Sequence, residues 1–401
     1  MNKLIQIIEE KKNTQDNPIC AYIYDLDALQ QHVEEVARSL PPSCRLFYAM
    51  KANSEAQIVK TISKHVYGLE VASLGEVKKA RAVDASIPVI FGGPGKTDEE
   101  IRGAIEHQVK LIHVESINEL QRINLIASSL NCTVSILLRV NLAGPFPQAT
   151  LAMAGKPTQF GIDESEIGEA IQLALSCEHV SLEGFHLHSI SNQLDDQSHL
   201  SLIEYYFDKV DDWSNTYGIT VTYINVGGGI GINYAELDKQ FAWSHFVNGL
   251  SALIQRRNKE RTTIIFECGR FLTAACGYYA TEVIDIKRNH GKNFVIVRGG
   301  TQHFRLPVSW QHNHPFLVLA QETWKYPFQR KKLWESEVTI VGQLCTPKDV
   351  FAKDAQVKQI RVGDVILFLY AGAYGWAISH HDFLSHPHPE HIYLTNIPVM
   401  K

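Results

Sequence analysis

Eight short apolar runs, rich in β-branched and aromatic residues, recur through the first two-thirds of the chain. They are Leu46–Met50, Gly68–Ala72, Pro88–Gly92, Leu111–Glu115, Ser135–Val140, Gly184–His188, Tyr223–Gly227 and Thr263–Glu267. Between most of them lie stretches with helical apolar spacing, such as Ser54–Val66 and Gly75–Val83. One helix start is explicit: Thr97 to Glu100 reads as a capping box. Strands alternating with helices predict βα units and a parallel sheet. Eight such units in about 250 residues predict an α/β fold, a (β/α)8 TIM barrel. A doubly wound open sheet is the structural alternative, but no glycine pattern here looks like a dinucleotide fingerprint.

After Gly277 the texture changes. The runs Tyr278–Ile286, Asn293–Gly299, Glu337–Gly342, Asp364–Tyr370 and His391–Leu394 follow one another with little helical spacing. They predict a second, mainly antiparallel β domain. An early run, Cys20–Asp25, precedes the first barrel strand and is expected to pair into that domain. The expected division is therefore 26–276 for the barrel, and 1–25 plus 277–401 for the β domain.

Composition narrows the function classes. The 401 residues carry 38 basic and 43 acidic side chains, a formal charge of −5 with no long like-charge block. A nucleic-acid or anionic-membrane surface is not expected. The longest uncharged apolar stretch, Val365–Ile378, falls short of the roughly 18 residues a spanning helix needs. The N-terminus, Met1–Lys12, lacks the apolar run of a signal peptide. Seven cysteines with no C-x-x-C pair fit reduced thiols in a cytoplasm better than a disulfide frame or zinc site. Of 18 histidines, five crowd together: His380, His381, His386, His388 and His391. Pro387 and Pro389 interrupt them, so they read as a polar loop near an active-site mouth, and no metal is expected.

In a barrel, chemistry gathers where strands end. The residues there include Lys51, Ser73, Pro94, Ser116, Asn141, His188, Gly228-Gly229, Glu267 and Gly269-Arg270. A Gly227–Gly229 turn lets backbone N–H groups approach an anion closely. It follows strand seven, where barrels often bind phosphate, and Arg270 after strand eight can add a bidentate contact. Gly95-Lys96-Thr97 resembles the end of a nucleotide P-loop, but the opening glycine would fall at Ile90. Lys51, at a strand end, has the type and place of a Schiff-base lysine. A lysine, a phosphate cradle and a carboxylate together fit pyridoxal 5′-phosphate. Its aldehyde needs the amine, its phosphate the glycines and arginine, and its ring nitrogen stays protonated beside an anion such as Glu267.

At these residues the chain resembles the pyridoxal-phosphate decarboxylases of the alanine-racemase-like fold, which include diaminopimelate and ornithine decarboxylases. The matching motifs are Tyr48–Asn53, His188–Ser191, Gly227–Gly229, Glu267–Arg270, Gly342–Cys345 and Gly372–Tyr374, in family order along nearly the whole chain. The stretches Gly299–Phe316, Gly342–Ala352 and Gly372–Glu390 resemble the siderophore branch most closely, which acts on citryl-diaminopropionate. The resemblance implies that Lys51 holds the cofactor, His188 stacks on its ring and Glu267 pairs with its ring nitrogen. It implies Ser191, Gly228, Gly229, Gly269, Arg270 and Tyr374 as further cofactor contacts. It implies a homodimer in which Cys345, from the partner subunit, protonates the substrate Cα after carbon dioxide leaves.

Three departures stand out. Ile190 and Cys268 replace a usual glycine and a usual proline, which alters loop shape more than chemistry. Thr346 stands where diamine-type enzymes carry an acid against the substrate's distal ammonium. A hydroxyl does not demand a cation, so the distal end is not expected to be an ammonium. Arg305, His312, His314 and Lys348 could offer positive charge to a polycarboxylate. Competing readings are a diaminopimelate-type decarboxylase, an alanine racemase and a non-catalytic cofactor carrier. In the racemase an arginine faces the ring nitrogen where this chain has Glu267. The carrier would lack the second β domain.

Overall fold

Each of the eight apolar runs is a strand in the computed structural model, and the eight close into one parallel barrel. The structure describes residues 1–146, 151–152, 154–155 and 157–396. The first strand in the chain, β1 (Cys20–Asp25), lies outside the barrel. The barrel strands are β2 (Cys44–Ala49), β3 (Gly68–Val71), β4 (Val89–Phe91), β5 (Leu111–Val114), β6 (Val134–Asn141), β7 (Val180–His186), β8 (Tyr223–Asn225) and β9 (Thr263–Cys268). They pair in chain order, and β9 returns to β2 to close the ring.

Apolar side chains seal the inside. Phe47, Ile90, Leu111, Leu137 and Ile265 form one buried cluster contributed by five different strands. The helices start where the sequence says they should. The capping box at Thr97 forms in full and opens the helix Asp98–Glu106. Ser73 and Ser116 cap Leu74–Val83 and Ile117–Ser129 by accepting the N–H of Glu76 and Glu119. Each of these two caps lies within a few residues of a strand end, so the chain turns sharply at the barrel mouth.

By contacts the chain falls into two units. One comprises Gln30–Asn233 and Asp238–Leu272, and holds the barrel. The other comprises Met1–Leu29, Tyr234–Leu237 and Thr273–Lys401. Its sheet is built from β1, β10 (Gly277–Asn289), β11 (Lys292–Val297), β12 (Phe316–Leu319), β13 (Lys332–Val341), β14 (Val350–Arg361), β15 (Val365–Phe368) and β16 (Glu390–Leu394). The main path runs β12-β15-β10-β11-β13-β14, antiparallel except where β11 meets β13. β1 pairs antiparallel with β10 and parallel with β16. Leu4 and Ile8 of the N-terminal helix Asn2–Thr14 pack with Ala21, Ile23, Val365 and Leu367 in this unit's core. Among the described residues no helix is long and apolar enough to cross a membrane.

One buried acid fastens the β unit. Asp364, 1% exposed, accepts the backbone N–H of Gln321 and Arg361 and pairs with the guanidinium groups of Arg330 and Arg361. Removing it leaves two arginines, themselves shielded, without their shared anion. Asp364→Ala should therefore destabilise the β unit by about 3 kcal/mol or more. Urea unfolding followed by hydrogen exchange at β15 checks this, and an unchanged midpoint would contradict it.

Candidate active site

The barrel mouth is lined by polar side chains that sit inside apolar strands. Lys51 leaves the barrel in a short turn directly after β2. Its neighbours Met50 and Ala52 are buried, and Tyr48 Oη donates to Asn53 O at 2.8 Å, which pins the turn from below. The Lys51 side chain remains 45% exposed, with Nζ 3.4 Å from Glu70 Oε2 on β3. Glu70 is buried, and that burial pushes its pKa up to about 7, opposed by Lys51 and reinforced by Glu267.

Glu267, at the end of β9, is the second buried carboxylate. Asn225 Nδ2 on β8 donates to its Oε1 at 2.7 Å. His186 Nε2 on β7 stands 3.4 Å from Oε2, and His113 Nδ1 on β5 stands 3.7 Å from Oε1. Burial drives both imidazoles well below the usual histidine range, so they are neutral. Among the described residues, His113, His186 and Glu267 are the one His/Cys/Asp/Glu grouping close enough to share a metal ion.

The glycine turn follows β8. A Cβ on Gly228 would lie 2.2 Å from Glu267 O, and one on Gly227 (φ +68°) would lie 2.3 Å from His188 Nδ1. Only glycine lets the backbone pass this close to both residues. The Gly228 N–H donates to His188 Nδ1 at 3.3 Å, so the proton of this imidazole sits on Nε2. Burial, then the positive charges of Lys51 and Arg139, hold His188 well below its usual pKa. The Gln193 N–H donates to Gly229 O at 2.7 Å and the Gln193 carbonyl accepts the N–H of Gly231, which zips the loop bearing Ser191 to the glycine turn. Arg270 is buried just after β9. Gly269 fits against Ala52 and the carbonyl of Ala49, bringing the exit of β9 beside the Lys51 turn. Lys51, His188, Ser191, Gly228, Gly229, Glu267, Gly269 and Arg270 thus gather at one end of the barrel.

These residues fit pyridoxal phosphate on structural grounds. The amine is accessible, the turn tolerates no Cβ, and the carboxylate that would face the ring nitrogen is buried and hydrogen-bonded. Lys96 has a different role from a phosphate-binding lysine. Its Nζ is buried and donates to Gly93 O, His113 O and Glu119 Oε1.

The remaining expected residues lie on the β unit. Cys345 is exposed on the loop after β13. Thr346 Oγ1 accepts the N–H of Lys348 at 3.3 Å, and the Lys348 side chain is exposed. Tyr374 adopts a left-handed backbone (φ +53°) between Gly372 and Gly375. Arg305 is exposed, and its N–H donates to Ser379 Oγ. His314 has a different setting, 1% exposed with Nε2 donating to Leu369 O at 2.6 Å and Nδ1 3.1 Å from His312 Nε2. The C-terminal histidines build an aromatic stack. His381 lies 3.5 Å from Trp376 between ring centroids, His388 and His391 pack on the same indole, and His386 Nδ1 meets Gln343 Nε2.

Sequence reasoning missed Glu70, His113, His186 and Asn225. The signal was present, because each is a polar residue inside an otherwise apolar strand run.

Residues 26–274 match the family model described as the pyridoxal-binding domain of pyridoxal-dependent decarboxylases. The chain is 54% identical over 393 residues to 2-[(L-alanin-3-ylcarbamoyl)methyl]-2-hydroxybutanedioate decarboxylase of Staphylococcus aureus, covering 98% of both proteins. It is 31% identical to the L-glutamyl-[BtrI acyl-carrier protein] decarboxylase of Niallia circulans, covering 94% of this chain and 88% of that protein. Among solved structures, diaminopimelate decarboxylase from Helicobacter pylori complexed with L-lysine superimposes with a TM-score of 0.83 at 27% identity, covering 97% of this chain and 94% of that one.

The raised pKa of Glu70 makes a prediction for the cofactor-free protein. In the unfolded chain this acid ionises near 4.5, whereas in the fold it holds its proton to about 7. Its contribution is therefore fully present below pH 4.5 and is lost as pH rises through 7. Relative to Glu70→Gln, wild-type stability should fall between pH 5 and 8, by about 3 kcal/mol at the upper limit. Paired urea titrations across that range check this, and parallel curves would refute it.

Proposed function

The chain belongs to the pyridoxal-dependent decarboxylases, and from that premise we propose that it decarboxylates citryl-L-2,3-diaminopropionate in siderophore biosynthesis. The observation that carries the substrate assignment is the 54% identity to the Staphylococcus aureus enzyme across 98% of each protein. That relative's name describes an alanine unit whose β-nitrogen is amide-linked to a hydroxy-dicarboxylate. The reaction breaks the bond from Cα to the alanine carboxylate, releases carbon dioxide and adds one proton at Cα. The product is the matching amide of 1,2-diaminoethane.

When bound, pyridoxal phosphate supplies a protonated ring that accepts the electron pair left at Cα. The chain's own residues have separable tasks. Lys51 offers the amine that holds the cofactor's aldehyde carbon and yields to the substrate amine. Glu70, buried 3.4 Å away, is the nearby anion for that lysine. Glu267 accepts the ring N–H and keeps it protonated. His188, neutral and fixed by Gly228, presents a flat face for the ring. Gly228, Gly229, Ser191, Gly269, Arg270 and Tyr374 serve the phosphate. Cys345 of the partner subunit delivers the proton to Cα in a homodimer.

The substrate's distal end carries carboxylates, and the β unit matches that charge. Thr346 sets no negative charge there, while Arg305 and Lys348 are exposed cations. His314 acts as a buried strut for this region rather than as an open anion contact, because both its ring nitrogens are engaged. We assign 26–276 to the cofactor-binding barrel domain and 1–25 plus 277–401 to the β domain, bounds that differ from the compact units by a few residues at each junction and by Tyr234–Leu237. The cytoplasm is the proposed compartment, consistent with seven cysteines and no disulfide among the described residues.

Carbon dioxide release from citryl-diaminopropionate, diaminopimelate, ornithine and lysine tests the substrate, with Lys51→Ala as the inactive control. Turnover of the citryl amide is expected. Turnover of diaminopimelate alone would sink this assignment and leave the cofactor untouched. Cys345→Ala should slow Cα protonation about a hundredfold and divert product toward an aldehyde by misplaced protonation, with the amino nitrogen left on the cofactor. An unchanged product ratio counts against the thiol.

A further inference from the structure

We propose that Asn225 and His113 form a directional polar network that presents Glu267 as an acceptor and couples it to the glycine turn. The proposal rests on the reading of Glu267 as the ring-nitrogen partner. It makes His113 and Asn225 positioning residues, acting on the cofactor only through that carboxylate.

The direction of the chain follows from one fixed donor. A backbone N–H can only donate, and the N–H of Gly227 points at Asn225 Oδ1 at 2.9 Å. That contact assigns the amide, so Nδ2 and its two hydrogens face the other way. One hydrogen goes to Glu267 Oε1 at 2.7 Å, and the other to His113 Nε2 at 3.2 Å. A flipped amide would set two N–H groups against each other at Gly227 and two acceptors against each other at Glu267. His113 is fully buried and neutral, so it has one donor and one acceptor nitrogen. Nε2 accepts from Asn225, hence Nδ1 carries the proton. Nδ1 makes no hydrogen bond but lies 3.7 Å from Glu267 Oε1, so its N–H acts on that carboxylate as a dipole.

Glu267 therefore faces two N–H dipoles at Oε1 and has the neutral His186 ring 3.4 Å from Oε2. Hydrogen bonds to the ionised form favour that form. An ionised carboxylate is an acceptor only, which is what a protonated ring nitrogen requires. The same elements tie the two ends of the cofactor site together. Glu267 N donates to Gly227 O at 2.8 Å, so Gly227 holds Asn225 with its N–H and the Glu267 backbone with its carbonyl. The turn assigned to the phosphate and the acid assigned to the ring thus move as one piece.

His113→Gln and His113→Leu separate polarity from packing. Glutamine can accept from Asn225 with its carbonyl and donate to Glu267 with its amide. Leucine fills similar volume and does neither. The readouts are the dissociation constant of pyridoxal phosphate, by equilibrium dialysis, and the nitrogen-15 shift of cofactor labelled at the ring nitrogen. In the leucine variant the shift should move from protonated toward bare pyridine, and the dissociation constant should rise about tenfold. In the glutamine variant the shift should stay protonated and the constant should stay within about twofold of wild type. A leucine variant with a protonated ring nitrogen, or a glutamine variant that behaves like leucine, overturns the proposal. Should the leucine variant not fold, Asn225→Asp supplies the test. It places a second carboxylate 2.7 Å from Glu267 Oε1, and an unchanged nitrogen-15 shift would again overturn the chain. A Glu267→Gln variant distinguishes the two levels. If the shift ignores that change, the reading of Glu267 itself falls.

Discussion

Giving a carboxylate donors inside an apolar barrel is the constraint on which the rest of the site depends. A buried anion tends to take up a proton instead, and Glu70 shows the tendency even opposite Lys51, with a pKa pushed up to about 7. Glu267 lies in the same barrel mouth but accepts the amide of Asn225 and faces two neutral imidazoles. Two acids in one barrel are given different environments, one opposite a lysine and one among N–H dipoles. Glu70 is suited to exchange a proton with Lys51, and Glu267 to remain an acceptor.

Holding those groups in place takes a second set of buried charges. Arg139 on β6 donates to Glu115 Oε1 at 2.7 Å, and Glu115 also accepts the N–H groups of Gly93 and Gly161. Lys96 joins Glu119 to the carbonyls of Gly93 and His113. The contact with His113 O matters most, because it fixes the backbone of the residue whose ring faces Glu267. The strand exits from β4 to β6 are thereby linked through matched ion pairs. Breaking one partner would strand its mate in low dielectric, so the network specifies position more than it adds stability.

Much of this was legible in the chain and some was not, for a physical reason. The barrel strands were readable because burial on both faces demands continuous apolar runs. The Thr97 cap was readable because its chemistry is local. Lys51, Glu267 and the glycine turn were readable as residues at strand ends. Glu70, His113, His186 and Asn225 were passed over because periodicity reasoning treats a strand interior as core. Yet a histidine within LIHVE or an asparagine within YINVG must find partners once buried, and those partners come from other strands. The strand Val350–Arg361 was missed as well, because its charged face at Lys353, Asp354 and Lys358 masks the alternation. Which histidine is structural could not be read locally either. His314 and its neighbours differ only in tertiary setting.

The β unit applies the same device to the loop that carries Cys345. Asp349, 2% exposed, accepts the N–H of Thr301 at one oxygen and that of Leu344 at the other. A Cβ at Gly300 or Gly342 would fall within 2.7 Å of this carboxylate, so two glycines make the space it occupies. Burial raises the Asp349 pKa while these N–H donors oppose the rise. The residue next to Cys345 is thus held from beneath by a buried acid, and Gln343 holds the other side by accepting from Arg298 and the N–H of Gly299. An exposed thiol on a loop needs such anchoring to meet a target within hydrogen-bond reach. The barrel fixes an acceptor with backbone and amide donors, and the β unit fixes the loop that carries Cys345 by the same means.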